Sequence, residues 1–144
     1  MSKDFLQHPP GEGTRWVVEN HPDLTFAKLT DGLIKAKGMR YKDIAQKTGL
    51  DPKIFTRIND GHIPKKVTVL TIGVALALGL GDIEFFLWIA GYCFSPTELV
   101  DQTYQEVISN VDLNDIDRIT SCNDMLKERG ISSEFLLGGK QLRE

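Results

Sequence analysis

Residues 41 to 60 read YKDIAQKTGLDPKIFTRIND, and their spacing decides the fold. Ala45 is a small residue placed where a second helix would cross close to the first. Gly49, four residues on, tolerates the positive φ that a tight turn demands. Leu50 follows as an apolar residue that seals the corner. Asp51 is a good N-cap, and Pro52 suits the first helical position, where its missing N–H costs nothing. Phe55 and Ile58 give the second helix one buried stripe, and Ile44 adds a buried position on the first. The remaining positions of the second helix face outward. This is the layout of a helix-turn-helix, whose second helix can enter a major groove. The same pattern also suits an ordinary helical hairpin in an all-α protein, so its surroundings matter.

Those surroundings are basic. The chain of 144 residues carries a formal net charge of −3, which looks wrong for a partner of nucleic acid. The average hides an asymmetry. Between Phe26 and Lys66 stand ten basic and four acidic residues, a surplus of six positive charges, against a deficit of nine elsewhere. One face is thereby suited to a polyanion and another to something else.

Helical periodicity extends on both sides of the motif. Phe26, Leu29, Leu33 and Ile34 recur at helical spacing over about 25–37, with Gly38 as the stop. The two helices of the motif cover about 41–47 and 52–60, closed by Gly61. Apolar segments predict helices over about 67–78 and 82–90, with Gly91 ending the second. Ser95-Pro96-Thr97-Glu98 combines a capping box with proline at the first helical position, so a helix should open at Ser95 and bury Leu99. Asn114 is a cap for a further helix, to about Arg129, with Ile116, Ile119, Met125 and Leu126 on its apolar face. Phe135 to Gly139 reads as a docked or frayed end. Residues 1–23, with Pro9-Pro10-Gly11 and His21-Pro22, lack helical periodicity and read as a mobile arm or a segment laid over the body.

At this point the chain resembles a known family. LIKAKGMRYKDIAQKTGLDPKIFTRINDGHIPKKVTVLTIGVALALGL and the later LWIAGY look like a lambda-repressor-like, Cro-type (XRE-type) helix-turn-helix domain. Gly61 and Pro64 stand where that family has the loop after the second helix and the proline before the next. The resemblance implies an all-α fold: a five-helix DNA-binding domain over 24–91, preceded by the arm and followed by an acidic helical extension over 92–144. It implies double-stranded DNA as partner, a homodimer, and a sequence-specific transcriptional regulator, a repressor of a mobile element or small operon. Family members commonly carry Ser, Thr or Gln at the first positions of the recognition helix, whereas this chain has Pro52. Base reading therefore moves to Lys53, Thr56 and Arg57, with Arg57 the best candidate for a bidentate contact to guanine. Phosphate contacts are expected from Tyr41 and Lys42, and from Asn59, His62, Lys65 and Lys66, with Lys35, Lys37 and Arg40 nearby. The motif-structural set is Ala45, Gly49, Leu50, Phe55 and Ile58. About six phosphate contacts would cost affinity on the order of a thousandfold between about 50 and 200 mM salt.

The alternative is a protein-interaction module or antitoxin-like adaptor that uses the acidic C-terminal helices. No G-x-S-x-G, Walker A, H-E-x-x-H or G-x-G-x-x-G is present, so no enzyme is expected. No cofactor or metal is expected either. Cys93 and Cys122 fit no zinc spacing and read as reduced core thiols. Asp112, Asp115 and Asp117 lack the glycine and glutamate of an EF-hand loop and read as helix-start charges. The opening residues carry no apolar run, so a cytoplasmic location without a signal peptide or membrane span is expected.

Overall fold

The computed structural model describes residues 9–143 and is all-α among them, with nine α-helices, one short 3-10 turn and no strand. Its centre is α5 (Lys66–Ala75), which buries every residue from Thr68 to Ala75. A helix apolar on all sides must be covered on all sides. Accordingly α3 (Tyr41–Thr48), α6 (Leu80–Ile89) and α8 (Arg118–Glu128) all pack against it. The second rank consists of α2 (Phe26–Ala36) on α4 (Lys53–Asn59), and of α7 (Leu99–Asn110) on α8. One continuous hydrophobic cluster runs from Val17 to Leu137 through both ranks.

Two of the middle helices, α2 and α4, begin beside a side chain that accepts from their first turn. Thr25 caps α2 by accepting from the Lys28 N–H at 3.2 Å. Asp51 Oδ1 accepts from the Lys53 N–H at 3.0 Å, and Pro52 already has helical angles, so the last two residues before α4 prepare its first turn.

Elsewhere the observed elements differ from the expected ones. Residues 12–19 of the expected arm form α1 (Glu12–Glu19), a helix that packs on α2 and α6. Of the two alternatives for this segment, 9–23 is laid over the body; residues 1–8 lie outside the described ones. Val17 is buried against Gly32, at which a Cβ would come within 2.7 Å of Val17 Cγ1. The α1 cap comes from across the fold: Asp82 of α6 accepts from the Gly13 N–H at 3.0 Å and the Thr14 hydroxyl at 2.9 Å.

Two later starts are also displaced. Ser95 Oγ does accept from the N–H groups of Thr97 and Glu98, both at 3.3 Å, but that is a turn, and α7 begins only at Leu99. Leu99 is therefore 70% exposed instead of buried. Asp112 and Asp115 likewise hold turns, accepting from the N–H groups of Asn114 and Asp117, and α8 begins at Arg118. Ile116, expected on the apolar face, is left 81% exposed. Of the two thiols read as core, Cys122 is buried and Cys93 is exposed. Burial pushes the Cys122 thiol up to about 11, against the opposing pull of Arg118.

The C-terminal segment is docked. Leu136 and Leu137 are buried, and the Asn123 side chain donates to the Leu137 carbonyl (2.9 Å) while its Oδ1 accepts from the Leu137 N–H (2.7 Å). The chain then passes over the α3–α4 turn, where the Gly139 N–H donates to the Thr48 carbonyl at 2.9 Å, and continues into α9 (Lys140–Arg143).

Candidate nucleic-acid interface

The helix pair α3–α4 is built from the residues singled out for it. Gly49 has φ +69°, the left-handed value, and its N–H closes α3 by donating to the Ala45 carbonyl at 2.9 Å. Thr48 supports the same corner: its hydroxyl donates to the Ile44 carbonyl (2.8 Å) and accepts from the Leu50 N–H (3.2 Å). Ala45, Phe55 and Ile58 are buried, and Leu50 is half-buried beside them. With Phe55 and Ile58 inward, Lys53, Thr56 and Arg57 are exposed on the opposite side of α4.

Between the two helices lies an open cleft of about 950 Å³. Tyr41, Lys42, Gln46, Thr56 and Asn59 are among its walls, and Gln141 of α9 reaches it from the far end of the chain. Gln46 and Gln141 were not singled out from the sequence. Gln46 lies on the outer face of the first helix, a position that periodicity identifies, whereas nothing local in the sequence connects Gln141 with the motif.

Tyr41 ties three helices together. Its hydroxyl donates a short hydrogen bond to Asp31 of α2 and lies 3.3 Å from Asn59 Oδ1 at the end of α4. Its ring meets Phe55 edge-on at 6.1 Å. Burial, and next the hydrogen bond to Asp31, push the Tyr41 phenol up to about 12. Burial alone would raise the Asp31 carboxyl, but the donors Tyr41 and Lys35 outweigh it and hold it below the usual carboxylate range. Tyr41 can donate to a phosphate only by redirecting the hydroxyl proton that it already donates to Asp31.

The expected phosphate-contact set divides in two. Lys42, His62 and Lys65 are exposed at the rim of the pair, and Asn59 is exposed at the end of α4. No carboxylate among the described residues forms an ion pair with Lys42, Lys53, Arg57 or Lys65. Lys66 departs from the expectation. Its Nζ donates to Asp101 Oδ2 at 2.7 Å and to the Cys93 carbonyl at 2.8 Å, so it turns inward to the start of α7. Asp101 is 3% exposed and would be an unpaired buried charge without it. Two of the nearby cations are also engaged: Lys35 with Asp31 at 2.9 Å and Arg40 with Asp43 at 3.2 Å. The Arg40 side chain, and next its backbone N–H, hold the Asp43 carboxyl low.

Comparison with protein-family models, with curated proteins and with solved structures finds no match to this chain. Among the described residues no group of His, Cys, Asp and Glu is placed to hold a metal ion, and no helix is long and apolar enough to cross a membrane.

Proposed function

We propose that this protein is a sequence-specific DNA-binding regulator of the lambda-repressor-like, Cro/XRE type, acting as a cytoplasmic homodimer that represses a mobile element or small operon. On this reading the five helices α2 to α6 make up the DNA-binding domain. The observation that carries the reading is the outward row Lys53, Thr56 and Arg57 on α4, held above buried Phe55 and Ile58 by a glycine-turned partner helix. A helix presented in this way fits a major groove, and Arg57 has the donor fork that matches guanine O6 and N7. Lys42, His62 and Lys65 flank it as phosphate contacts.

Selection of bound DNA from a random pool tests this. The expected product is a palindrome with half-sites about one helical turn apart. Mobility-shift titration with the selected duplex should show affinity falling steeply with salt. The double variant Lys53→Ala/Arg57→Ala should lose sequence preference. No retention of duplex at low salt, or unchanged binding by the double variant, would sink the reading.

One observation favours a second reading, a protein-interaction module or antitoxin-like adaptor. Leu99 and Ile116 stand largely exposed on the acidic part of the chain. Variants Leu99→Ser and Ile116→Ser that abolish a biological effect while leaving DNA binding intact would support it.

A further inference from the structure

The segment from Leu136 to Arg143 is held over the α3–α4 corner by bonds on both sides of Gln141. Asn123 of α8, itself 1% exposed, binds both polar groups of the Leu137 backbone and donates as well to the Leu142 carbonyl at 3.1 Å. The Gly138 N–H donates to the Thr71 hydroxyl of α5 at 2.9 Å, and the Gly139 N–H meets the Thr48 carbonyl. Leu142 lies against Gly49, where a Cβ would come within 3.3 Å of Leu142 Cδ1. This strap is thus tied to two core helices as well as to the turn of the motif.

Gln141 is the residue that these bonds leave pointing outward. It is exposed, and its amide has no hydrogen-bond partner among the described residues. Gly139 and Leu142 both lie against Gly49, and Gln141 stands between them in the chain. It therefore enters the α3–α4 cleft at the end formed by the turn. Pro52 lines the same cleft and has no side-chain donor or acceptor. The turn end of the cleft accordingly draws its polar side chains from Gln46 and Gln141. Among the described residues no carboxylate lines the cleft, and Lys42 is its one cation. Its charge suits an anionic partner, and its amides suit a surface that offers donors and acceptors side by side.

We propose that Gln141 is a further base reader of the DNA interface, supplied by α9 and not by α4. The inference rests on the DNA-binding reading above and names the base that Gln141 adds to it. A glutamine amide pairs in bidentate fashion with adenine in the major groove: its oxygen accepts from the N6 amino group and its nitrogen donates to N7. Thr56 of the outward row lines the cleft together with Gln141, so the adenine belongs to the same half-site that α4 reads. The bonds of the strap hold the amide in place before DNA arrives, so little of the contact is lost to ordering a loose segment.

The test is selection of duplexes from a random pool by the intact protein and by Gln141→Ala, followed by mobility-shift titration with single-base substitutions of the selected site. The expected result is one adenine in each half-site that the intact protein prefers by about tenfold and Gln141→Ala does not. Gln141→Glu, whose carboxylate can only accept, should move that preference to cytosine, whose N4 amino group donates. Preferences at the positions read by Lys53 and Arg57 should survive in both variants. The Gln141 side chain is exposed and unbonded, so both variants should melt with the parent. A Gln141→Ala protein that keeps every base preference overturns the inference and leaves the DNA-binding reading standing. Equal weakening on all duplexes overturns it as well, and assigns Gln141 to the phosphate backbone. No duplex retained by the intact protein at low salt overturns both readings together.

Discussion

Gly139 and Gly81 show how far a residue's meaning depends on its surroundings. A Cβ at Gly139 would fall 1.9 Å from the Gly49 carbonyl oxygen, a backbone atom that cannot move aside without shifting the α3–α4 turn. Gly139→Ala should therefore destabilise the protein by about 1–3 kcal/mol in urea unfolding. At Gly81 of α6 a Cβ would meet nothing within 4 Å, and the position is helical and exposed. Gly81→Ala should stabilise by about 0.5–1 kcal/mol. The same chemical change acts in opposite directions. Lys66 carries a similar lesson: it sits in a basic run beside Lys65, and only the fold brings Asp101 to it from 35 residues away. Local sequence could place Lys53, Thr56 and Arg57 outward because helical periodicity alone decides that. It could not distinguish Lys66 from Lys65. Tyr41 gives a prediction in pH. Its phenol pKa is raised on folding to about 12, so the stability it contributes is complete below the ordinary tyrosine range near 10 and is lost as pH rises to about 12. Ultraviolet titration should show one tyrosinate step near 12 that Tyr41→Phe removes. The same variant deprives Asp31 of one of its two donors, so the Asp31 carboxyl should titrate higher in carbon-detected NMR.

Among the helices, those around the motif were readable, whereas α1 was missed and the starts of α7 and α8 were misplaced, for one physical reason. A cap can be recognised in the sequence when its side chain lies next to the helix it serves, as Thr25 and Asp51 do. α1 has no such residue: Gly11 fills its N-cap and Asp82 supplies the acceptor from another helix. Asp82→Ala should thus cost about 1 kcal/mol and speed amide exchange over 12–19 more than over α5. Uniform acceleration across both helices would contradict this. The reverse error occurs at α7 and α8. Ser95, Asp112 and Asp115 bond forward to backbone N–H groups just as caps do, yet they close isolated turns. Local sequence cannot separate the two cases, because the hydrogen bond is the same and only the following backbone differs.

At the level of the whole molecule, the division into a motif-bearing part and an acidic extension does not coincide with a break in the core. Tyr104, Val107, Ile119, Cys122 and Leu126 belong to the same apolar cluster as Leu33, Phe55 and Ile72. Arg118 joins the end of α5 to the start of α8, and α8 covers one side of the central helix. Denaturation should accordingly be a single cooperative transition reported alike by circular dichroism and by tryptophan fluorescence. A fragment ending at Gly91 would uncover that side of α5. It should melt well below the full chain or aggregate, and a fragment as stable as the parent would refute the single-core description.

The Gly139–Thr48 hydrogen bond has a consequence for the order of events during synthesis. The corner of the α3–α4 pair is made early in translation, yet the strap that crosses it arrives about ninety residues later. Until the ribosome has released that stretch, the pair can assemble on α2 and α5 but stays unlatched. A nascent chain paused between α6 and α9 would leave the Thr48 carbonyl without its Gly139 donor, so the pair would be latched only once that strap has emerged.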